Sequence, residues 1–272
     1  MAAEPRQLVA FTPRHVRIGC GALSPPALCV LRAATRRASW DGPAVVTFTE
    51  RLRELSERID AAAARAGRTG SEVTLVAVSK TFPAHCVREA LAAGVTDFGE
   101  NRAQELQSKA AEIGEGPRWH FVGHLQSNKV RAVVGAAALV HSVDRMDLAE
   151  AIDRRAGFLG VIQDVLVQVN VAGDPAKHGA APAQALELAS AAAELGNVEV
   201  RGLMTIPPYP EEPEGSRRPY AALARLGDAL AAELGRPVEL SMGMTRDFEI
   251  AIEEGATLVR VGEALFGARR VP

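Results

Sequence analysis

The amino-acid sequence predicts a single (β/α)8 barrel. Three observations predict it. Short apolar strand segments alternate with helical segments eight times over about 220 residues, the size of a closed barrel of this kind. The strongest strand segments are nearly continuous apolar runs, as expected of parallel strands covered on both faces. The first strand also lacks the glycine-rich turn of an open, doubly wound sheet, because Val78 is followed by Ser79, Lys80, Thr81 and Phe82.

A helix is expected from Thr49 to Ala66, where Leu52, Leu55, Ile59 and Ala63 recur at three- and four-residue spacing. Gly67 and Gly70 end it. The first strand is Val73 to Val78. A helix from Ala84 to Ala93 stops at Gly94, a short strand covers Val95 to Phe98, and a helix runs from Asn101 to Ile113. Further strands are expected at Trp119 to Val122, Ala138 to Ser142, Val165 to Val171, Val198 to Ile206, Val238 to Leu240 and Thr257 to Val261. Helices between them fall at Asn128 to Val134, Met146 to Ala156, Ala181 to Leu195, Pro219 to Leu234 and Arg246 to Glu254. The stretch after the last strand is too short for a closing helix, so the helix from Thr49 to Ala66 is expected to take that place.

Residues 1–44 read differently. Arg6, Arg14, Arg17, Arg32, Arg36 and Arg37 stand against Glu4 and Asp41, prolines interrupt, and no hydrophobic period is sustained. An Arg-rich, acid-poor start resembles an organelle transit peptide. The reading adopted is a disordered extension, with the barrel domain spanning 45–272.

Hydrophobic residues make up 47% and aromatics 4%, so a large core filled by Ala, Val and Leu is expected. A formal net charge of -2 argues against a nucleic-acid surface and against a polybasic membrane surface. No apolar run approaches the roughly 20 residues of a membrane helix. Cys20, Cys29 and Cys86 form no Cys-x-x-Cys pair, which fits a reduced, cytoplasmic setting.

In such barrels function collects at the C-terminal ends of the strands. Lys80 ends the first strand there, and partial desolvation makes a lysine amine a better nucleophile toward an aldehyde. The last two strands run into Ser241-Met242-Gly243-Met244-Thr245 and into Arg260-Val261-Gly262-Glu263, segments suited to a phosphate. Arg260, between Val259 and Val261, requires a buried partner or a route to solvent. Asn101 stands as a helix cap or a ligand contact, Asn170 and Met204 point toward the mouth, and Gln126, Ser127 and Asn128 gather there. His120 and His124 flank the third strand's end, but no carboxylate or cysteine completes a metal set, so none is expected. Neither a Walker lysine motif nor a Gly-x-Ser-x-Gly elbow occurs.

These residues fall in ordered motifs. They are Leu75-Val76-Ala77-Val78-Ser79-Lys80-Thr81, Phe98-Gly99-Glu100-Asn101, Trp119-His120-Phe121-Val122-Gly123-His124-Leu125-Gln126-Ser127-Asn128-Lys129, Arg201-Gly202-Leu203-Met204, Ser241 to Thr245, Asp247-Phe248-Glu249, and Val259 to Gly262 followed by Phe266-Gly267-Ala268-Arg269. In this order the chain resembles the pyridoxal phosphate homeostasis proteins. The resemblance implies a fold-type III pyridoxal 5′-phosphate (PLP) barrel, similar to the N-terminal domain of alanine racemase and without that enzyme's C-terminal β domain. It implies that Lys80 is the Schiff-base lysine and that Ser241, Gly262 and the backbone at Glu263 contact the phosphate. Arg260 matches the arginine at the pyridine nitrogen, and Asn101 and Met204 match residues near the ring. Thr245 departs from the usual serine, and Glu263 from a small polar residue.

The function so implied is a non-catalytic PLP carrier or buffer in PLP homeostasis, supplying apo-enzymes from the cytoplasm as a monomer without nucleic-acid or membrane partners. A PLP-dependent amino-acid racemase is the alternative, and a Schiff-base aldolase using Lys80 without cofactor is the third reading. An arginine at the ring nitrogen disfavours carbanion chemistry. Tyr209 and Tyr220 are not placed to supply a racemase's second acid or base.

Overall fold

The structure, a computed structural model, describes residues 46–208 and 211–267. The extension expected at residues 1–44, Tyr209, and Ala268-Arg269 lie outside the described residues. The strands are β1 (Thr74–Val78), β2 (Asp97–Glu100), β3 (Arg118–Phe121), β4 (Leu139–Val143), β5 (Gln163–Gln168), β6 (Val198–Met204), β7 (Glu239–Met244) and β8 (Leu258–Val261). Each pairs in parallel with the next, and β1 pairs with β8 from Thr74↔Leu258 to Ala77↔Val261, which closes the barrel.

The outer ring holds α1 (Phe48–Arg65), α2 (Ala84–Ala92), α3 (Ala103–Ile113), α4 (Val130–Val133), α5 (Met146–Leu159), α6 (Pro182–Ala193), α7 (Arg217–Leu234), α8 (Phe248–Glu253) and the single turn α9 (Glu263–Phe266). Thr47 starts α1 with a capping box: the Glu50 N–H donates to Thr47 Oγ1, and the Thr47 N–H donates to Glu50 Oε2. α1 buries Phe48, Leu55, Ile59 and Ala63 and lies against α8 and α9. Arg51 Nε donates to Leu265 O at 2.7 Å, and Arg58 pairs with Glu249. The first helix therefore stands where a closing helix would.

Two hydrophobic shells result. The larger lies between sheet and helices; a smaller one of Val76, Leu139, Leu166, Met204 and Leu258 fills the barrel interior. Side chains alternate along a strand. The layer above those residues therefore holds Val78, His141 and Arg260, joined by His120 and Ser241 from β3 and β7. No helix among the described residues is long and apolar enough to cross a membrane.

The structure moves several expected boundaries. β2 starts two residues late and includes Gly99 and Glu100, which pair with His120 and Phe121. β7 continues through Met244, because Ser241 and Met244 pair with Leu258 and Arg260. β5 ends at Gln168, where the chain leaves the sheet in a loop tied by Asn170 N–H to Ala180 O. α3 begins at Ala103 with Arg102 in the cap position, so Asn101 is not the helix cap. Asn128 sits in a 3-10 turn, Ser127–Lys129, that precedes α4.

Candidate functional site

At the C-terminal ends of the strands lies a cavity of about 310 Å³. Lys80, Asn101, Thr245, Arg260, Gly262 and Glu263 line it, together with Val78, Val122 and the Pro207-Pro208 segment. Five of the seven expected site residues are thus brought together. The other two lie beneath the lining. Met204 is fully buried in the inner apolar cluster, and Ser241 is fully buried at hydrogen-bond distance from Arg260. Thr245 supplies a hydroxyl at the surface that Ser241 does not reach.

Lys80 is half-buried, and its backbone is clamped on both sides. On one side, Lys109 Nζ donates to Ser79 O at 2.7 Å and to Glu100 Oε1 at 2.5 Å, while Ser79 Oγ donates to the same oxygen at 2.7 Å. On the other, the Thr81 N–H donates to Glu105 Oε2 at 2.8 Å. That bond holds Thr81 at φ 69°, the left-handed region, where a β-branched residue is strained. Burial pushes the Glu100 carboxyl above its usual range against its bonds to Lys109 and Ser79. Its second oxygen is buried without a donor among the described residues. The sequence reading passed over this clamp, although Glu105 and Lys109 share a face of α3 at i, i+4 spacing.

Arg260 is 4% exposed, and its guanidinium donates to Ser241 Oγ at 2.6 Å and to Thr205 O at 2.9 Å. These are the partners that a buried strand arginine requires. The Asp247 carboxylate lies close enough for its charge to act on it. Asp247 accepts from Tyr220 OH at 2.8 Å, from Ser216 Oγ at 2.6 Å and from Met244 N at 2.8 Å. Tyr220 is fully buried, and its phenol is pushed up by burial and by Asp247, so it keeps its proton and donates it to the Asp247 carboxylate.

Beneath Arg260, Ser241 Oγ lies 2.9 Å from His141 Nδ1, His141 Nε2 lies 2.9 Å from His120 Nδ1, and His120 Nε2 lies 2.9 Å from Asp97 Oδ1. Burial and the neighbouring His120 and Arg260 hold His141 well below its ordinary pKa, so it is neutral. Burial raises Asp97, but hydrogen bonds from His120 and Thr96 outweigh it and leave the carboxyl below its ordinary value. A lowered carboxylate pKa stabilises the fold above the unfolded value, about 3.9, and that stability is lost as pH falls through the folded value. Asp97→Asn is therefore expected to lower the urea midpoint at pH 7, with the gap to the native protein narrowing below about pH 4.

The remaining candidates disperse. Asn170 bonds Asp174 and Lys177 within the loop after β5, outside the cavity lining. Ser127 accepts from Arg145. His124 meets Asp144 and His178, a set that the sequence reading did not assemble. The two rings stack at 3.7 Å with planes 10° apart, so their lone pairs do not converge on one point, and Asp144 already pairs with Arg145 at 2.8 Å.

Comparison with known proteins places this arrangement among relatives. The alanine racemase N-terminal domain family matches residues 51–270. The pyridoxal phosphate homeostasis protein of Aquifex aeolicus is 46% identical over 223 residues, covering 81% of this chain and 98% of that protein. The protein of the same name from Pseudomonas aeruginosa is 48% identical over 228 residues, covering 82% and 96%. The PipY structure of Synechococcus elongatus with PLP bound is 37% identical, covers 81% of this chain and all of that one, and superposes with a TM-score of 0.71.

Proposed function

The chain belongs to the pyridoxal phosphate homeostasis protein family, and from that premise we propose that it binds PLP covalently through Lys80 as a carrier in PLP homeostasis. The observation that carries this reading is the meeting of Lys80 with Thr245, Arg260 and Gly262 around one cavity. The residues fit the group. The volume is at the lower end of small-ligand pockets, about 300–1,000 Å³. A Cβ on Gly262 would come within 3.0 Å of Val78 O, so the β8 end approaches β1 closely there. The first N–H groups of α9 have no acceptor within that turn.

PLP supplies an aldehyde that condenses with amines and a phosphate that needs donors. Lys80 presents the amine, from a backbone that the Glu100, Glu105 and Lys109 clamp holds still. The Thr245 hydroxyl and the backbone at Gly262 and Glu263 take the phosphate end, with Ser241 supporting from below. Asn101 would flank the ring, and Met204 would lie beneath it under the lining. Arg260 would meet the ring nitrogen; a guanidinium donates and cannot accept, so it would keep a proton off that nitrogen. That arrangement favours holding the cofactor over stabilising carbanions. The protein acts as a cytoplasmic monomer that hands PLP to apo-enzymes, with residues 45–272 as its binding domain.

The purified protein is expected to absorb in the visible with PLP, and borohydride reduction followed by peptide mapping should place the adduct on Lys80. Lys80→Ala should abolish the band and the adduct. An adduct on another lysine overturns the assignment. PLP transfer to an apo-enzyme no faster than free release overturns the carrier role.

A further inference from the structure

The interior of a (β/α)8 barrel is ordinarily packed with branched apolar side chains. Here one path, from the start of β2 to the cavity, is polar throughout. Asp97 opens β2 at the N-terminal end of the barrel; Arg260 lines the cavity at the other. His120, His141 and Ser241 join them, all three fully buried. None of Asp97, His120, His141 or Ser241 lines the cavity. Burying such groups is unfavourable compared with apolar residues of similar volume, so satisfying one another does not explain their presence.

With both imidazole rings neutral, the chemistry of the two ends fixes the direction of every bond between them. Arginine can only donate, so Ser241 Oγ accepts from it and its own hydrogen turns to His141 Nδ1. His141 then carries its proton on Nε2 and donates to His120 Nδ1. His120 carries its proton on Nε2 as well and donates to Asp97, whose carboxylate can only accept. With two neutral rings this is the one orientation that satisfies both ends. Thr96 Oγ1 donates to the other Asp97 oxygen at 2.7 Å, and Arg118 approaches Asp97 Oδ1 to 3.6 Å at the barrel's lower rim.

We propose that Asp97, His120, His141 and Ser241 are positioning residues for the cavity-lining guanidinium of Arg260, an oriented hydrogen-bond chain that carries the state of Asp97 across the barrel to the bound cofactor. Anchoring by Ser241 and Thr205 O leaves the guanidinium one setting relative to the cavity. In this orientation Ser241 accepts from Arg260 while His141 Nδ1 holds its hydrogen, which fixes the direction of its free lone pair. The inference rests on the PLP reading above and adds the residues that set the ring-nitrogen contact.

Asp97→Asn tests it, because Asp97 touches nothing in the cavity, and removing its charge while keeping its shape reaches the cofactor only through the chain. The PLP-loaded variant, shown to be folded by circular dichroism, is expected to have a shifted visible band and to bind PLP about 2- to 30-fold more weakly, the range by which remote residues modulate a site. Asp97→Glu, which restores a carboxylate, should recover both. A purely structural chain predicts a less stable Asp97→Asn protein whose band and PLP affinity match the wild type, and that result overturns the proposal. Should Asp97→Asn fail to fold, ring 15N spectra of the wild type decide. Neutral Nε2–H tautomers on His120 and His141, with signals that move on PLP addition, support the chain; an Nδ1–H tautomer on either ring, or signals unmoved by PLP, overturns it. A wild-type protein with no PLP on Lys80 overturns the underlying reading instead, and the peptide map shows this before any variant is compared.

Discussion

Lys109→Met is expected to destabilise the protein by about 3–5 kcal/mol, the usual effect of removing one partner of a buried ion pair. Glu100 is fully buried and Lys109 nearly so, and the 2.5 Å contact between them brings a positive charge to that carboxylate. At roughly 2–4 °C per kcal/mol for a chain of this size, Tm should fall by about 10 °C. The loss should depend on pH. Without Lys109, burial is opposed less, by the Ser79 hydrogen bond, and the folded-state pKa of Glu100 rises further. A raised carboxylate pKa leaves stability intact below the unfolded value, about 4.3, and removes it as pH rises through the folded value. Urea midpoints should therefore differ little from the wild type near pH 4 and diverge toward pH 8. Lys109→Met/Glu100→Gln should recover much of the loss at neutral pH. Equal midpoints for Lys109→Met and wild type at pH 8 would show that the pair is not load-sharing with the fold.

Gly123→Ala is expected to damage stability and cofactor binding together. A Cβ on Gly123 would stand 2.1 Å from Asn101 O and 2.8 Å from Asn101 C, both backbone atoms with no rotamer to turn away. The chain after β2 and the chain after β3 would have to separate, at about 1–3 kcal/mol for the overpacking. Asn101 would leave the cavity as they did so. The PLP dissociation constant should rise along with the fall in Tm. Gly196→Ala, where a Cβ meets nothing within 4 Å, is the control and should stay within about 0.5 kcal/mol of wild type. A Gly123→Ala protein with native Tm and native PLP affinity would refute the steric argument.

The barrel was legible because strand and helix periods differ, and because β1 is a run of apolar residues ending abruptly at Ser79-Lys80. Lys80, Arg260 and Gly262 stood out as candidates at strand ends, which barrel geometry turns into one mouth, and only the family motifs raised Lys80 above an ordinary strand-end lysine. The boundaries of β2 and β7 were not. Their last residues, Gly99-Glu100 and Ser241 to Met244, are broken by glycines and polar side chains, and they hold strand geometry through bonds to β3 and β8 that no local pattern announces. His141 was overlooked for a related reason. It sits two residues after Leu139 on the inward face, so strand parity carries the signal, but its partners are 21 and 100 residues away in sequence. The exposed His124 was singled out only for its spacing from His120, and the structure stacks it on His178.

The seating of α1 bears on how the chain comes to be folded during synthesis. The bonds from Arg51 to Leu265, Arg58 to Glu249 and Arg65 to Glu253 span 214, 191 and 188 residues. β1 likewise waits for β8 to close the ring. At about 5–20 residues per second, α1 leaves the ribosome roughly ten seconds or more before its partners exist. During that interval its apolar face and the free edge of β1 are open to the solvent and to other chains. Topologies dominated by such distant contacts fold slowly. The nascent protein is thus most vulnerable to aggregation just before its last 25 or so residues emerge, and slowing translation near β8 should lengthen that exposure rather than relieve it.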